Sequence, residues 1–236
     1  MPLIDRITCP HHLMPRKVER HRGHRKKPVT KKQYERLVQR CRELPQTKLV
    51  HPKNYITNLL ITVLDLRLET TTVERALEFY RINRSKQIRR FVQLKRLLDS
   101  DATDVDLAVH LWGYRYGRRA ERLRRLVKFF EANGIRAQKD LEAWVKKADF
   151  ERDFKNRVPG LAYAAFKWLG VRLGVDTIKP DVHVLAFVQS AIGKRLSDTE
   201  AVAILERAAR DLGIPAAQLD ARIWTYQRGL RSAKSA

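Results

Sequence analysis

Three features of this 236-residue sequence predict an all-α fold. From about residue 31 onward, apolar residues recur at three- and four-residue spacing, the period that gathers them on one helical face. No stretch shows the sustained alternation of a half-buried strand. Helix boundaries are also written into the chain. Thr103-x-x-Asp106 and Ser197-x-x-Glu200 have the form of N-terminal capping boxes, and Asn133-Gly134 tolerates the left-handed backbone that ends a helix.

Taken in order, a first helix is predicted over about 31–43 and ends near Pro45, because proline cannot donate to the helical ladder. A second, over about 54–65, carries Ile56, Leu59, Leu60, Val63 and Leu64 and reads as fully core-facing. Helices follow at about 72–80, 84–98 and 103–110, the last opened by the Thr103 box. The segment 117–132 has an Ala120-Leu123-Val127-Phe130 apolar stripe surrounded by Arg115, Arg118, Arg119, Arg122, Arg124, Arg125 and Lys128, so it packs on one side and is basic elsewhere. Further helices are expected at 138–147, 161–173, 181–192, 198–212 and 216–229; in the last, Leu219, Ile223, Trp224 and Tyr226 have helical spacing. No internal repeat or low-complexity insert interrupts this series.

A hydrophobic content of 44% at this length supports one or two compact domains. Forty-nine Lys and Arg against 26 Asp and Glu give a formal charge of +23, the sign that condenses onto polyanions, and nucleic acid is the leading partner. The charge is uneven. Residues 1–53 hold 15 Lys and Arg against 4 Asp and Glu, a net of +11, and residues 1–30 read as a basic, flexible arm preceding a helical region over 31–236. No 18-residue apolar run and no signal-peptide core follow from the sequence, so the expected partner is not a membrane and the expected location is intracellular, cytoplasmic and nucleoid-associated if the source is bacterial. Cys9 and Cys41 are too few for a disulfide framework or for the four thiolates of an iron-sulfur cluster. Cys9, His11, His12, His21, His24 and Cys41 match no common zinc spacing, and neither metal nor cofactor is expected.

The most specific motif is Val158-Pro159-Gly160-Leu161-Ala162, followed 21 residues after its glycine by Pro180-Asp181-Val182-His183-Val184. A Pro-Gly turn lets backbone approach a phosphate closely, and the N–H groups opening the next helix face an anion with favourable dipole sign. Pro180 is expected at the first helical position with Asp181 just inside, where the positive helix end favours its carboxylate. The pattern resembles the helix-hairpin-helix DNA glycosylase superfamily, whose Leu-Pro-Gly-Val-Gly hairpin is followed about twenty residues on by Val-Asp-Thr-His-Val. Ala162 stands where that pattern has its second glycine. The resemblance covers roughly residues 54–190.

The resemblance implies a two-lobed helical bundle with a helix-hairpin-helix element, a cleft between the lobes, and a monomer bound to double-stranded DNA containing a damaged or mismatched base. It implies hairpin contacts from Val158, Pro159, Gly160, Leu161 and Ala162, and Trp112-Gly113-Tyr114-Arg115-Tyr116-Gly117 is similar to the family's Gly-aromatic turn, with phosphate contacts among Arg115, Arg118 and Arg119 in that turn and the helix after it. Asp181 takes the place of the essential carboxylate, which stabilises positive charge on the deoxyribose as the base departs. His183 takes a structural place. Leu66, Arg67 and Leu68 occupy the loop from which relatives wedge apart the base stack, with Leu68 the candidate wedge, and Tyr114, Tyr116, Tyr163 and Trp168 are candidates to flank a flipped base. Bifunctional relatives carry a lysine four residues after the first hairpin glycine; here it is Ala164, which implies a monofunctional, water-using enzyme. Three alternatives remain open: a non-catalytic DNA-binding protein of this fold, a glycosylase/lyase using Lys167, and a basic RNA- or ribosome-associated protein.

Overall fold

A computed structural model describes residues 28–47, 54–66 and 68–234; most of the basic arm, with Cys9 and the histidines up to His24, lies outside the described residues, as does Arg67. The described chain is all-α: eleven α-helices and one π-helical turn, with no strand among the described residues. In order they are α1 (Lys31–Arg42), α2 (Tyr55–Leu64), α3 (Thr70–Asn83), α4 (Phe91–Leu98), α5 (Asp104–Trp112), α6 (Gly117–Ala132), α7 (Gln138–Lys147), the π-helical turn Phe150–Phe154, α8 (Tyr163–Arg172), α9 (Val182–Ile192), α10 (Asp198–Asp211) and α11 (Ala216–Lys234).

The caps act as their residue types require. Thr103 and Ser197 each accept the N–H three residues on while Asp106 and Glu200 reach back to the cap backbone, and Gly134 follows the end of α6 at φ +76°. The expected helix over 84–98 is broken. The N–H groups of Arg84 and Ser85 both donate to the Tyr80 carbonyl, and the Tyr80 hydroxyl donates to the carbonyl of buried Ile88, so the chain turns before α4 begins at Phe91. The π-helical turn has no counterpart in the sequence reading. Asp149 caps it by accepting from the Arg152 N–H, and Phe150 and Phe154 enter a ring cluster with Phe129, Trp144 and Phe166 whose centroid separations are 5.4 to 6.4 Å.

Two hydrophobic cores form. The first gathers α2 through α8 around Leu59, Leu60, Trp112, Phe130 and Phe154. The second joins α1 to α9, α10 and α11 around Leu37, Phe187, Ile192, Leu205 and Ile223. Helix α1 thus packs with the C-terminal helices despite the intervening sequence, tied by the Gln33 side-chain amide to the Ile192 carbonyl (2.8 Å) and by Arg40 to the Ser190 hydroxyl (2.8 Å). Cys41 is buried in this second core, and burial pushes its thiol up to about 12. No helix among the described residues is long and apolar enough to cross a membrane.

Candidate functional site

The turn before α8 is built around a glycine that must be glycine. The Leu161 N–H donates to the Val158 carbonyl (3.0 Å), with Pro159 second and Gly160 third at φ +83°, the arrangement of a type II turn. Val158 and Leu161 are buried in the first core and fix the turn, while Pro159 and Gly160 are exposed. Ala162 caps α8 in extended backbone at φ −101°, which any residue adopts, so the alanine in place of a second glycine carries no strain. The N–H groups of Tyr163 and Ala164, in the first turn of α8, have no intrahelical acceptor by helix geometry.

Basic side chains from α6 flank this turn. Arg118, Arg122 and Arg125 line a groove with Glu121, Pro159 and Gly160, and Arg122 lies so close to Gly160 that an added Cβ would sit 2.5 Å from its Nε. Arg125 is paired with Glu121 (2.5 Å). Two neighbours serve the fold instead. Arg119 donates to the carbonyls of Leu66 (2.6 Å) and Leu64 (3.3 Å), holding the loop after α2, and Arg124 reaches the Ala102 and Leu98 carbonyls and the Asp104 carboxylate. Arg115 is exposed just before α6.

Asp181 is the N-cap of α9, one position outside the expected placement, and Pro180 precedes the helix as a buried residue. The carboxylate itself is the reason: Oδ1 accepts from the N–H groups of His183 (2.9 Å) and Val184 (3.0 Å), satisfying donors the first turn leaves open. Its Oδ2 lies 3.9 Å from the Lys179 ammonium, and the side chain retains 18% exposure. The carboxylate is therefore fixed in direction by the backbone, with its second oxygen facing a cation.

Lys179 ties this position to both cores. Its ammonium donates to the carboxylate of Asp65, at the end of α2, and lies 4.3 Å from the centre of the Trp168 ring, while its backbone N–H donates to Asp220 Oδ1 on α11 (3.0 Å). Trp168 also carries Arg172 at 4.9 Å, and burial brings the Arg172 guanidinium down to about 10. Asp220 is 8% exposed, and burial together with the negative charge of Asp181 pushes its carboxyl up to about 7. Val182, the first residue of α9, is 63% exposed beside Asp181. The sequence alone assigns no site role to Asp65, Lys179, Val182 or Asp220. Lys179 and Asp220 were discoverable as charged residues two and 39 positions from Asp181, but only the folded chain brings α2 and α11 to the same place.

The remaining candidates separate by environment. Tyr114 and Tyr116 pair at 5.7 Å before α6, with Arg119 over the Tyr116 ring at 5.1 Å. Tyr163 packs edge-on against Phe150 at 5.2 Å, at the margin of the first core. Leu68 and Leu66 are both half-buried against that core rather than projecting freely from the loop. His183 faces Trp224 at 6.3 Å. The Lys167 ammonium donates to the Thr177 hydroxyl (2.8 Å) and lies 3.5 Å from Glu206 on α10, partners that tie α8 to the second core. Among the described residues, no group of three or more His, Cys, Asp or Glu side chains is placed to hold a metal ion.

Residues 115–228, from just before α6 into α11, match a family model described as Domain of unknown function (DUF8548); the span includes the Pro-Gly turn, Lys179, Asp181 and Asp220. No curated protein and no solved structure matches the chain.

Proposed function

We propose that the protein is a monofunctional DNA base-excision glycosylase of helix-hairpin-helix type, in which the two cores are the lobes and α7, the π-helical turn, the Pro159-Gly160 turn and α8 form the hairpin element. The observation that carries this reading is Asp181, a largely buried carboxylate held by two backbone N–H groups where a lysine joins elements of both cores. In the proposed reaction the bond from C1′ to the base nitrogen breaks, water supplies hydroxide to C1′, and the departing base takes up a proton. Asp181 stabilises the positive charge that builds on the sugar and orients the water. Gly160 and the first N–H groups of α8 hold a phosphate, with Arg118 and Arg122 beside it. The nucleophile is water because position 164 is alanine and Lys167 is bonded to Thr177. Such an enzyme works where the chromosome is.

A second reading, a DNA-binding protein without chemistry, is favoured by the same capping bonds, since they give Asp181 a sufficient structural role. Asp181→Asn separates the two. Asparagine caps as well as aspartate, so the fold is kept while the charge is lost. The glycosylase reading predicts loss of base release by at least about a hundredfold with binding retained. Equal release by the variant and the parent contradicts it.

A further inference from the structure

At the corner where α3 turns into α4, residues 79–98 contain seven Lys and Arg and no acidic residue. Arg81 is paired with Glu78, Arg84 donates to the His110 carbonyl, and Lys95 is paired with Asp99 and Glu131. That leaves Lys86, Arg89, Arg90 and Arg96, all exposed, with no carboxylate within ion-pair distance among the described residues. Ile82 (62% exposed) and Val92 (56% exposed) flank them. Four unpaired cations within eleven residues repel one another, and a solvated surface gains nothing from concentrating them here.

The corner is distinct from the turn before α8. Lys95 of α4 reaches Glu131 at the C-terminal end of α6, whereas Arg118 and Arg122 flank Gly160 from its N-terminal half. Thirteen residues separate Arg118 from Glu131, roughly 20 Å along a helix at about 1.5 Å per residue. The cations are also rigidly mounted. The backbone N–H groups of Arg89 and Arg90 both donate to the Gln93 side chain, the Phe91 N–H donates to Tyr55, and Ile88 is buried.

We propose that Lys86, Arg89, Arg90 and Arg96 form a second nucleic-acid contact surface, which binds DNA phosphates independently of sequence. Arginine and lysine at this density, fixed on backbone rather than on a loose tail, match the regularly spaced phosphates of a duplex. The phosphates come either from the flank of the duplex held at Gly160 or from a separate DNA segment. The inference rests on the DNA-binding part of the proposed function and not on its chemistry.

The test compares the full chain with a Lys86→Glu/Arg89→Glu/Arg90→Glu variant and with a control of equal charge change, Lys139→Glu/Arg195→Glu/Arg210→Glu, all checked for helical content and melting. Affinity is measured against salt on an undamaged duplex of about 40 base pairs and on one of about 12, which limits how many phosphates one site can reach. The proposal predicts that the corner variant binds the long duplex more weakly, with the slope of log affinity against log salt reduced by roughly two to three, while the control changes far less. A defect confined to the long duplex assigns the surface to flanking phosphates. A fall from two short duplexes bound to one assigns it to a separate segment. Corner and control variants with equal slopes overturn the proposal. A chain that binds through this corner yet releases no base supports the surface and contradicts the glycosylase reading.

Discussion

Asp181, Lys179 and Asp220 form a chain of charge in which each residue has a separable task. Lys179 faces the free oxygen of Asp181 while bonded to Asp65, so its loss removes a cation from the carboxylate and a tie between the cores. In the proposed enzyme it is a positioning residue. Lys179→Met is expected to slow single-turnover base release by roughly tenfold to a hundredfold, and Lys179→Arg to restore most of it, since arginine keeps the charge. Equal loss in both variants would mean that only the packing of this side chain matters. Asp220 bears on stability. An aspartate in the unfolded chain titrates at about 3.9, whereas folded Asp220 is pushed up to about 7, so the folded state keeps a proton that the unfolded state has released. Its contribution is full below about pH 4 and is lost as the pH rises to about 7. Asp220→Asn, neutral throughout and still able to accept the Lys179 N–H, should therefore gain more over the parent in urea at about pH 8 than at about pH 5. An equal difference at both pH values removes Asp220 from the account.

At the level of single elements, the turn before α8 depends on one backbone conformation. Gly160→Ala places a side chain at φ +83° and against Arg122, and should cost about 1–2 kcal/mol in the left-handed conformation and weaken DNA binding. Ala162→Gly, by contrast, relieves nothing at φ −101° and should leave affinity unchanged within a factor of two or so, less than about 0.4 kcal/mol. Measured affinities in the opposite order would show that the turn does not present its backbone to phosphate. Much of this was readable from the sequence. Pro-Gly between apolar residues demands a turn, the Thr103 and Ser197 boxes declare two helix starts, and the extents of α6 and α7 follow from their periodicity and stop signals. The π-helical turn was not, because Phe150 and Phe154 are fixed by rings from α6, α7 and α8. Neither was the break at 84–90, where the Tyr80 hydroxyl and the burial of Ile88 override local helical spacing. Arg119 and Arg124 likewise look, in sequence, like any exposed arginine on a basic helix; only the carbonyls they meet in the fold assign them to structure.

The whole molecule brings the site into being by folding both ends of the described chain against each other. Helix α1 completes the second core with α9 to α11, the first core is closed by α8, and residues 173–181 cross between them. In that crossing lie Thr177, bonded to Glu206 and Lys167, and Lys179, bonded to Asp65 and Asp220. The sequence reading located Asp181 because one motif spans the crossing, but its companions come from elements more than 100 residues away on one side and 39 on the other. A charge of +23 attracts polyanions at long range, and for the proposed DNA partner the placement of cations at two ends of the first core would give that attraction direction. The central claim concerns chemistry, and the most direct measurement is base release from duplexes carrying uracil, hypoxanthine, oxidised guanine, alkylated purines or mismatches, scored as abasic sites with and without hot alkali, for the parent and Asp181→Asn. The account predicts release of at least one base by the parent, strand scission only after alkali, and loss of release in the variant with DNA binding retained. Tight, salt-dependent binding by the parent with no base released from any of these duplexes would contradict it.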